Sequence, residues 1–203
     1  MTNVATPILT REAIAERLRR PPAPLRPDDT HIVALQADAS VTCAAVLVPL
    51  VHRDGDISVL LTQRTPHLND HANQISFPGG RVEDCDRDRI ETALREAEEE
   101  VGLARDRVEI LGSLSDHELN SKFRVSPVVG WIEAPFETRL DPFEVAEVFE
   151  VPLAHFLDPV NHQRRNYRFM GRDRHYMAMP YRGRYIWGAT AAMLYSLYRQ
   201  LHA

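Results

Sequence analysis

The sequence predicts a single layered domain that mixes helices and strands, an α/β or α+β fold. Three observations carry this. Two runs rich in β-branched and apolar residues, 40–52 and 57–63, are joined across Arg53-Asp54-Gly55-Asp56, and Asp-Gly between apolar runs is a strong hairpin signal. An amphipathic helical pattern interrupts the strands: Ile90, Ala93, Leu94, Ala97 and Val101 recur at helical spacing as a core-facing stripe. A second amphipathic segment closes the chain over residues 190–201, with Met193, Leu194, Leu197 and Leu201 on its apolar side.

The other elements follow in order. Residues 11–18 form a short helix with Thr10 as its cap, Ile14 and Leu18 on one face, and Leu9 as a hydrophobic staple. Four prolines between Pro21 and Pro27 forbid regular structure and mark a linker. The expected organisation is therefore a helix and Pro-rich linker over 1–30, then one domain over 31–203. Residues 74–77 read as a strand stopped by Pro78-Gly79-Gly80. Gly102 terminates the long helix. Strands follow at 108–114, 123–132 and 145–151, with Pro127 arguing for an edge or bulge. Residues 167–170 and 175–180 flank Gly171-Arg172-Asp173-Arg174 as a hairpin.

Composition narrows the function class. A net charge of −5 argues against a nucleic-acid binder, and two cysteines, Cys43 and Cys85, are too few for a disulfide framework. Neither a signal peptide nor a membrane span is legible, so the expected setting is the cytoplasm. Charge is unevenly distributed. Between Glu83 and Glu100 nine carboxylates face three arginines, a local net charge of −6. Residues 164–184 hold seven arginines against Asp173, a local +6. One segment suits cations and the other anions, as a metal-dependent enzyme with a phosphorylated substrate requires.

Glu96, Glu99 and Glu100 stand at i, i+3 and i+4 and share one helix face. Like charges at that spacing cost a few tenths of a kcal/mol. Hard divalent cations, Mg²⁺ or Mn²⁺, prefer such oxygens together with substrate phosphates. By spacing alone the same glutamates serve equally as a solvated face, and Gly79-Gly80 as a turn.

Joined, these residues carry a resemblance. Gly80, then Arg95-Glu96-Ala97-Glu98-Glu99-Glu100-Val101-Gly102-Leu103, resembles the signature box of Nudix hydrolases. The Gly80-to-Arg95 spacing is one residue longer than the commonest, which leaves the separate acidic position to Asp86 or Glu83. Leu60-Leu61-Thr62-Gln63-Arg64, the following PHLNDHANQIS and Phe77-Pro78-Gly79-Gly80 resemble the motif of the coenzyme A pyrophosphatases of that superfamily. Asn69 replaces the usual Arg there, Asn73 the usual Gly, and Thr65 the usual Ser or Ala. Asn73 tolerates positive φ and can keep a glycine-like turn.

The resemblance implies an α/β/α sandwich around a mixed sheet, with the box as loop–helix–loop. Glu96, Glu100 and Glu99 would hold Mg²⁺ or Mn²⁺, Glu99 or Glu96 would help activate water, and Arg95 would orient the glutamates by ion pairing. Gly79 and Gly80 would let the backbone approach the diphosphate, and Arg64 or the 164–184 arginines would supply the basic surface that the extra 3′-phosphate of coenzyme A calls for. The implied reaction is hydrolysis of coenzyme A to 3′,5′-ADP and 4′-phosphopantetheine, or of another nucleotide such as an ADP-sugar, NADH or a nucleoside triphosphate, by an enzyme that touches neither nucleic acid nor membrane and is a candidate homodimer. The further alternative is a non-catalytic nucleotide or metal sensor on the same scaffold. Glu144 and Glu147 are further acidic candidates, and His67, His71, His117, Ser121 and Lys122 lie near the expected site. Trp187, beside a helix start, is read as core, with stacking on a base as the alternative.

Overall fold

A computed structural model describes residues 9–21, 41–68, 71–119, 123–169 and 172–202. The first helix, α1 (Arg11–Arg19), starts where the Thr10 side chain accepts the Ala13 N–H at 3.2 Å. Its buried Ile14 and Leu18 join the main core, with Leu9 packed beside them. The linker prolines beyond Pro21 lie outside the described residues.

β1 (Thr42–Arg53) and β2 (Asp56–Arg64) form a hairpin closed by Asp54 and Gly55, at φ 53° and 88°. Positive φ at both central residues is what a two-residue turn between twisted strands requires. β3 (Ile75–Ser76) and β4 (Gly79–Arg81) follow, then α2 (Arg89–Val101), β5 (Glu109–Ser113), β6 (His117–Glu118), β7 (Phe123–Glu133) and β8 (Val145–Pro152). α3 (Leu153–Leu157), the hairpin β9 (Gln163–Phe169) and β10 (Arg172–Ala178), and α4 (Gly188–Leu201) complete the chain. The main sheet runs β3-β2-β1-β7-β5, with β4 on β1, β6 on β7 and β8 on β2. It is mixed, because β1 and β7 pair in parallel over eleven residues while the other pairings are antiparallel.

Alternation along β1 splits its side chains between two layers. Ala45, Leu47 and Val51 join Leu60, Val128 and Ile132 beneath Ala93, Ala97 and Val101 of α2. Ala44, Val48 and Leu50 join Val59, Leu61, Val125 and Val129 against Ile14 and Leu18 of α1 and Leu194, Leu197 and Leu201 of α4. The sheet is thus covered on both faces, the expected α/β/α arrangement. Among the described residues no helix is long and apolar enough to cross a membrane.

Three expectations need correction. The strand expected over 74–77 does end at Ser76, before Pro78, but Gly79 and Gly80 are not a turn: they open a new strand opposite Val46 and Ala45 of β1. β7 is central rather than an edge, and Pro127 falls where its outer partner changes from β5 to β6. The Pro127 carbonyl still accepts the Leu114 N–H at 3.0 Å. Ile90 is 36% exposed, because the first turn of α2 precedes the contact with the sheet.

Candidate active site

The box helix is fixed at both ends. Asp88 Oδ1 accepts the Glu91 N–H at 2.9 Å, and Gly102 closes the other end at φ 70°. A Cβ at Gly102 would also stand 2.6 Å from the Arg139 nitrogen. Between those caps the 3.6-residue period turns Ala93, Ala97 and Val101 to the sheet and brings Glu96 and Glu100 beside β4. A Cβ at Gly80 would overlap the Glu96 carboxylate, so any side chain here would displace that carboxylate.

Glu100 is the buried centre, its side chain 6% exposed. Its Oε2 accepts the Gly79 N–H at 3.3 Å, and its Oε1 lies 3.8 Å from Arg64 Nη1. The other Arg64 terminal nitrogen is 3.7 Å from Glu144 Oε2, and the buried Arg64 Nε has no hydrogen-bond partner among the described residues. Burial, then the Glu144 charge, pushes the Glu100 carboxyl up to about 8, with Arg64 and the Gly79 N–H opposing. Glu96 is also raised, chiefly by burial, against the pull of Arg95. The site therefore holds more buried carboxylate than its cations neutralise, the donor chemistry of a hard divalent ion. As placed, no three acidic, histidine or cysteine groups converge tightly enough to ligate an ion among the described residues.

Arg95 explains that arrangement. It donates to both oxygens of Asp86 at 2.9 and 3.0 Å, to Glu96 at 3.0 Å, to Glu99 at 3.1 Å and to the Arg81 carbonyl at 3.1 Å. All its donors point inward to the protein. The guanidinium holds Asp86 well below the usual carboxylate range, and Thr92 donates to the same carboxylate at 2.8 Å. Of the two rival acidic positions, Asp86 is buried against Arg95, whereas Glu83 is exposed and gives its N–H to Asp86 at 2.9 Å. Glu99 keeps a side chain 59% exposed, and Glu98 is drawn away to Arg105 at 2.7 Å.

Of the two distant glutamates, Glu144 joins the site and Glu147 does not. Glu147 forms a two-pronged pair with Arg184 at 2.6 and 2.9 Å. The segment carrying Glu144 is held by backbone bonds: Arg139 N–H to Val101, Asp141 N–H to Glu100 and Thr65 N–H to the Glu144 carbonyl, at 2.8, 2.9 and 3.0 Å. The Thr65 hydroxyl adds a bond to the Phe143 carbonyl at 2.7 Å. Sequence reasoning missed Thr65 in this role, and no residue pattern signals a loop anchored through main-chain groups.

The histidines separate. His117 is buried with Nε2 3.1 Å from Ser196 Oγ, and burial pushes it down to about 4, so it packs rather than reacts. His67 rests on the Phe143 ring, and His71 meets Gln74 Oε1 at 2.9 Å. Asn73 takes φ 60°, the glycine-like conformation expected of it. Asn69, Ser121 and Lys122 lie outside the described residues. Trp187 is not core: it is 39% exposed at the start of α4, its ring edge-on to Tyr176 with centroids 5.3 Å apart. Trp187 is the capping residue that precedes the helix, so it stays at the rim although Gly188, Thr190 and Ala191 of the first turn are buried.

Comparison with known proteins places the NUDIX domain over residues 41–172. The chain is 38% identical over 159 residues to a Yersinia enterocolitica protein called uncharacterized Nudix hydrolase NudL, covering 78% of this chain and 81% of that one. The proteins of the same description from Pectobacterium atrosepticum and Escherichia coli K12 are 41% and 40% identical, each match covering 78% of this chain and 82% of the relative.

Proposed function

The chain belongs to the Nudix family of hydrolases, and from that premise we propose that it hydrolyses coenzyme A or a close derivative at the diphosphate. Water attacks one phosphorus, the bridging P–O bond breaks, and the products are 3′,5′-ADP and 4′-phosphopantetheine. The observation that carries the diphosphate chemistry is the surplus of buried carboxylate around Glu100, raised to about 8 between Glu144 and Glu96. The coenzyme A reading rests on the residues that lead into the box, Leu60 to Gly80.

In this reading Glu96, Glu100 and Glu99 hold Mg²⁺ or Mn²⁺. When bound, the cation supplies charge neutralisation and Lewis-acid polarisation of the phosphoryl group. Arg95 positions Glu96 and Glu99 through its hydrogen bonds and does not touch substrate, since its donors are taken up by Asp86 and the Arg81 carbonyl as well. Glu99, the most exposed of the three side chains, accepts the proton of the attacking water. Arg64, whose terminal nitrogens stand 3.8 and 3.7 Å from Glu100 and Glu144, beyond hydrogen-bond reach, donates to a phosphate oxygen, and the bare backbone of Gly79 and Gly80 lets the diphosphate approach.

The test is product analysis by mass spectrometry after incubation with coenzyme A, ADP-ribose, NADH and nucleoside triphosphates, each with Mg²⁺ or Mn²⁺. Release of 3′,5′-ADP and phosphopantetheine, lost in Glu100→Gln and Glu99→Gln, is the expected result. Asn69, where the coenzyme A enzymes have Arg, favours a second reading, a Nudix hydrolase of another nucleotide diphosphate. Cleavage of ADP-ribose or NADH alone would establish that reading and overturn the coenzyme A assignment.

A further inference from the structure

Adjacent side chains on a strand point to opposite faces. Leu61, two residues earlier on β2, and Ile75, the cross-strand partner of Gln63 on β3, both pack on the α4 side, so Gln63 faces that side, while Arg64, past an irregularity in the pairing, reaches Glu100 on the α2 side. There Gln63 helps line a cleft of about 570 Å³, together with Asn73, Gln74, Arg182, Tyr185 and Trp187. That volume lies within the range of small-molecule sites, about 300–1,000 Å³. The cleft and the carboxylate site share a wall, because the Gln74 carbonyl accepts the Arg64 N–H at 2.9 Å.

The lining is unusual in its aromatics. Tyr185 and Trp187 are 44% and 39% exposed, although the core a few residues away accommodates Ile186 completely. Neither ring is loose. The Tyr185 hydroxyl meets the Tyr176 hydroxyl at 2.9 Å, and Tyr176 stands edge-on to Trp187. Tyr185 and Trp187 lie with centroids 6.3 Å apart at an interplanar angle of 33°. Rings held in fixed orientation and left accessible at a cleft provide a stacking platform for a flat ligand. Beside them a tight turn, Tyr181 to Arg184, is closed by reciprocal backbone bonds at 2.9 Å and places Arg182 at its tip with φ 45°. Arg184 is matched by Glu147 and lies over the Phe149 ring, so it rigidifies the wall. Arg182 brings positive charge to the cleft.

We propose that this cleft seats the purine ring of the substrate nucleotide on Trp187 and Tyr185, with Arg182 facing the phosphate carried by the ribose. The assignment rests on the nucleotide-diphosphate reading above and extends it to the part of the substrate that does not react. It gives the enzyme a handle on the adenosine half, while Arg64 and the box glutamates engage the diphosphate on the other side of β2.

Fluorescence tests it directly, because Trp131 is buried at 4% exposure and Trp187 is the accessible indole of the two. Titration of the metal-free full chain with 3′,5′-ADP should quench the emission, whereas 4′-phosphopantetheine and inorganic phosphate should not. In calorimetry Trp187→Ala should weaken 3′,5′-ADP binding about tenfold, the effect of losing one stacked base. Trp187→Phe should keep most of the affinity, and Arg182→Ala should weaken 3′,5′-ADP more than adenosine. Unchanged affinity in a folded Trp187→Ala variant, or binding without quenching, overturns the proposal. The two readings fail separately. Coenzyme A hydrolysis with an unchanged KM in Trp187→Ala would sink the cleft and keep the activity. Quenching by 3′,5′-ADP without coenzyme A turnover would keep the cleft and sink the substrate.

Discussion

Glu100 sets the pH behaviour of the metal-free protein. Its native value near 8 stands above the ordinary 4.5, so the native state holds a proton that the unfolded chain releases between those values. Stability from this group is complete below about pH 4.5 and is lost as the pH rises through 8, with a slope of at most about 1.4 kcal/mol per pH unit. Thermal melts in EDTA between pH 5 and 8.5 should show the fall, and Glu100→Gln should flatten it. His117 acts in the opposite sense: buried neutral, with a native value near 4 against 6.5, it withdraws stability as the pH drops from 6.5 toward 4. At Gly80, alanine would push its Cβ into the Glu96 carboxylate. We expect Gly80→Ala to lower kcat at least about tenfold, roughly 1.4 kcal/mol of barrier, while circular dichroism and melting temperature change little.

At the scale of elements, α2 is held by one buried arginine and one terminal glycine. Asp86 and Arg95 are 1% and 9% exposed at their side chains, and removing the charge of Asp86 leaves the buried guanidinium only Glu96 and the largely exposed Glu99 to balance it. Asp86→Asn should cost roughly 3 kcal/mol in urea unfolding and depress activity although Asp86 touches no substrate. Gly102→Ala forces a left-handed residue against Arg139 and should cost about 2 kcal/mol by the same assay. Much of this level was legible. Asp54-Gly55 named the first hairpin, the spacing of Arg95, Glu96, Glu99 and Glu100 named the site helix, and Thr10 named the cap of α1. What stayed hidden depends on tertiary contact. Glycines opposite Ala45 and Val46 read as a turn because local propensity cannot report a partner strand. Asp86 and Glu83 could not be separated until the chain placed one of them against Arg95, and Trp187 read as core because its rim position depends on where α4 meets the sheet.

On the scale of the whole molecule, the sheet is covered on both faces, and α1 is part of that cover rather than an appendage. Ile14 is fully buried, and Arg11 pairs with Glu109 of β5 at 2.8 Å. Ile14→Ala should cost about 2–4 kcal/mol in denaturant unfolding, the penalty of a core cavity. A value under about 1 kcal/mol would show that α1 is held only at the surface. One contact closes the circuit. The Gln200 amide in α4 donates to the Arg17 and Arg20 carbonyls at 2.8 and 3.2 Å, so the last helix finishes the capping of the first. During synthesis α1 emerges from the ribosome long before the residues that complete its end and cover its apolar face. The parallel β1–β7 ladder likewise joins residues 81 positions apart. A nascent chain therefore carries Ile14 and Leu18 uncovered until β5 is made and only half covered until α4 follows, a window in which exposed apolar surface favours aggregation over folding.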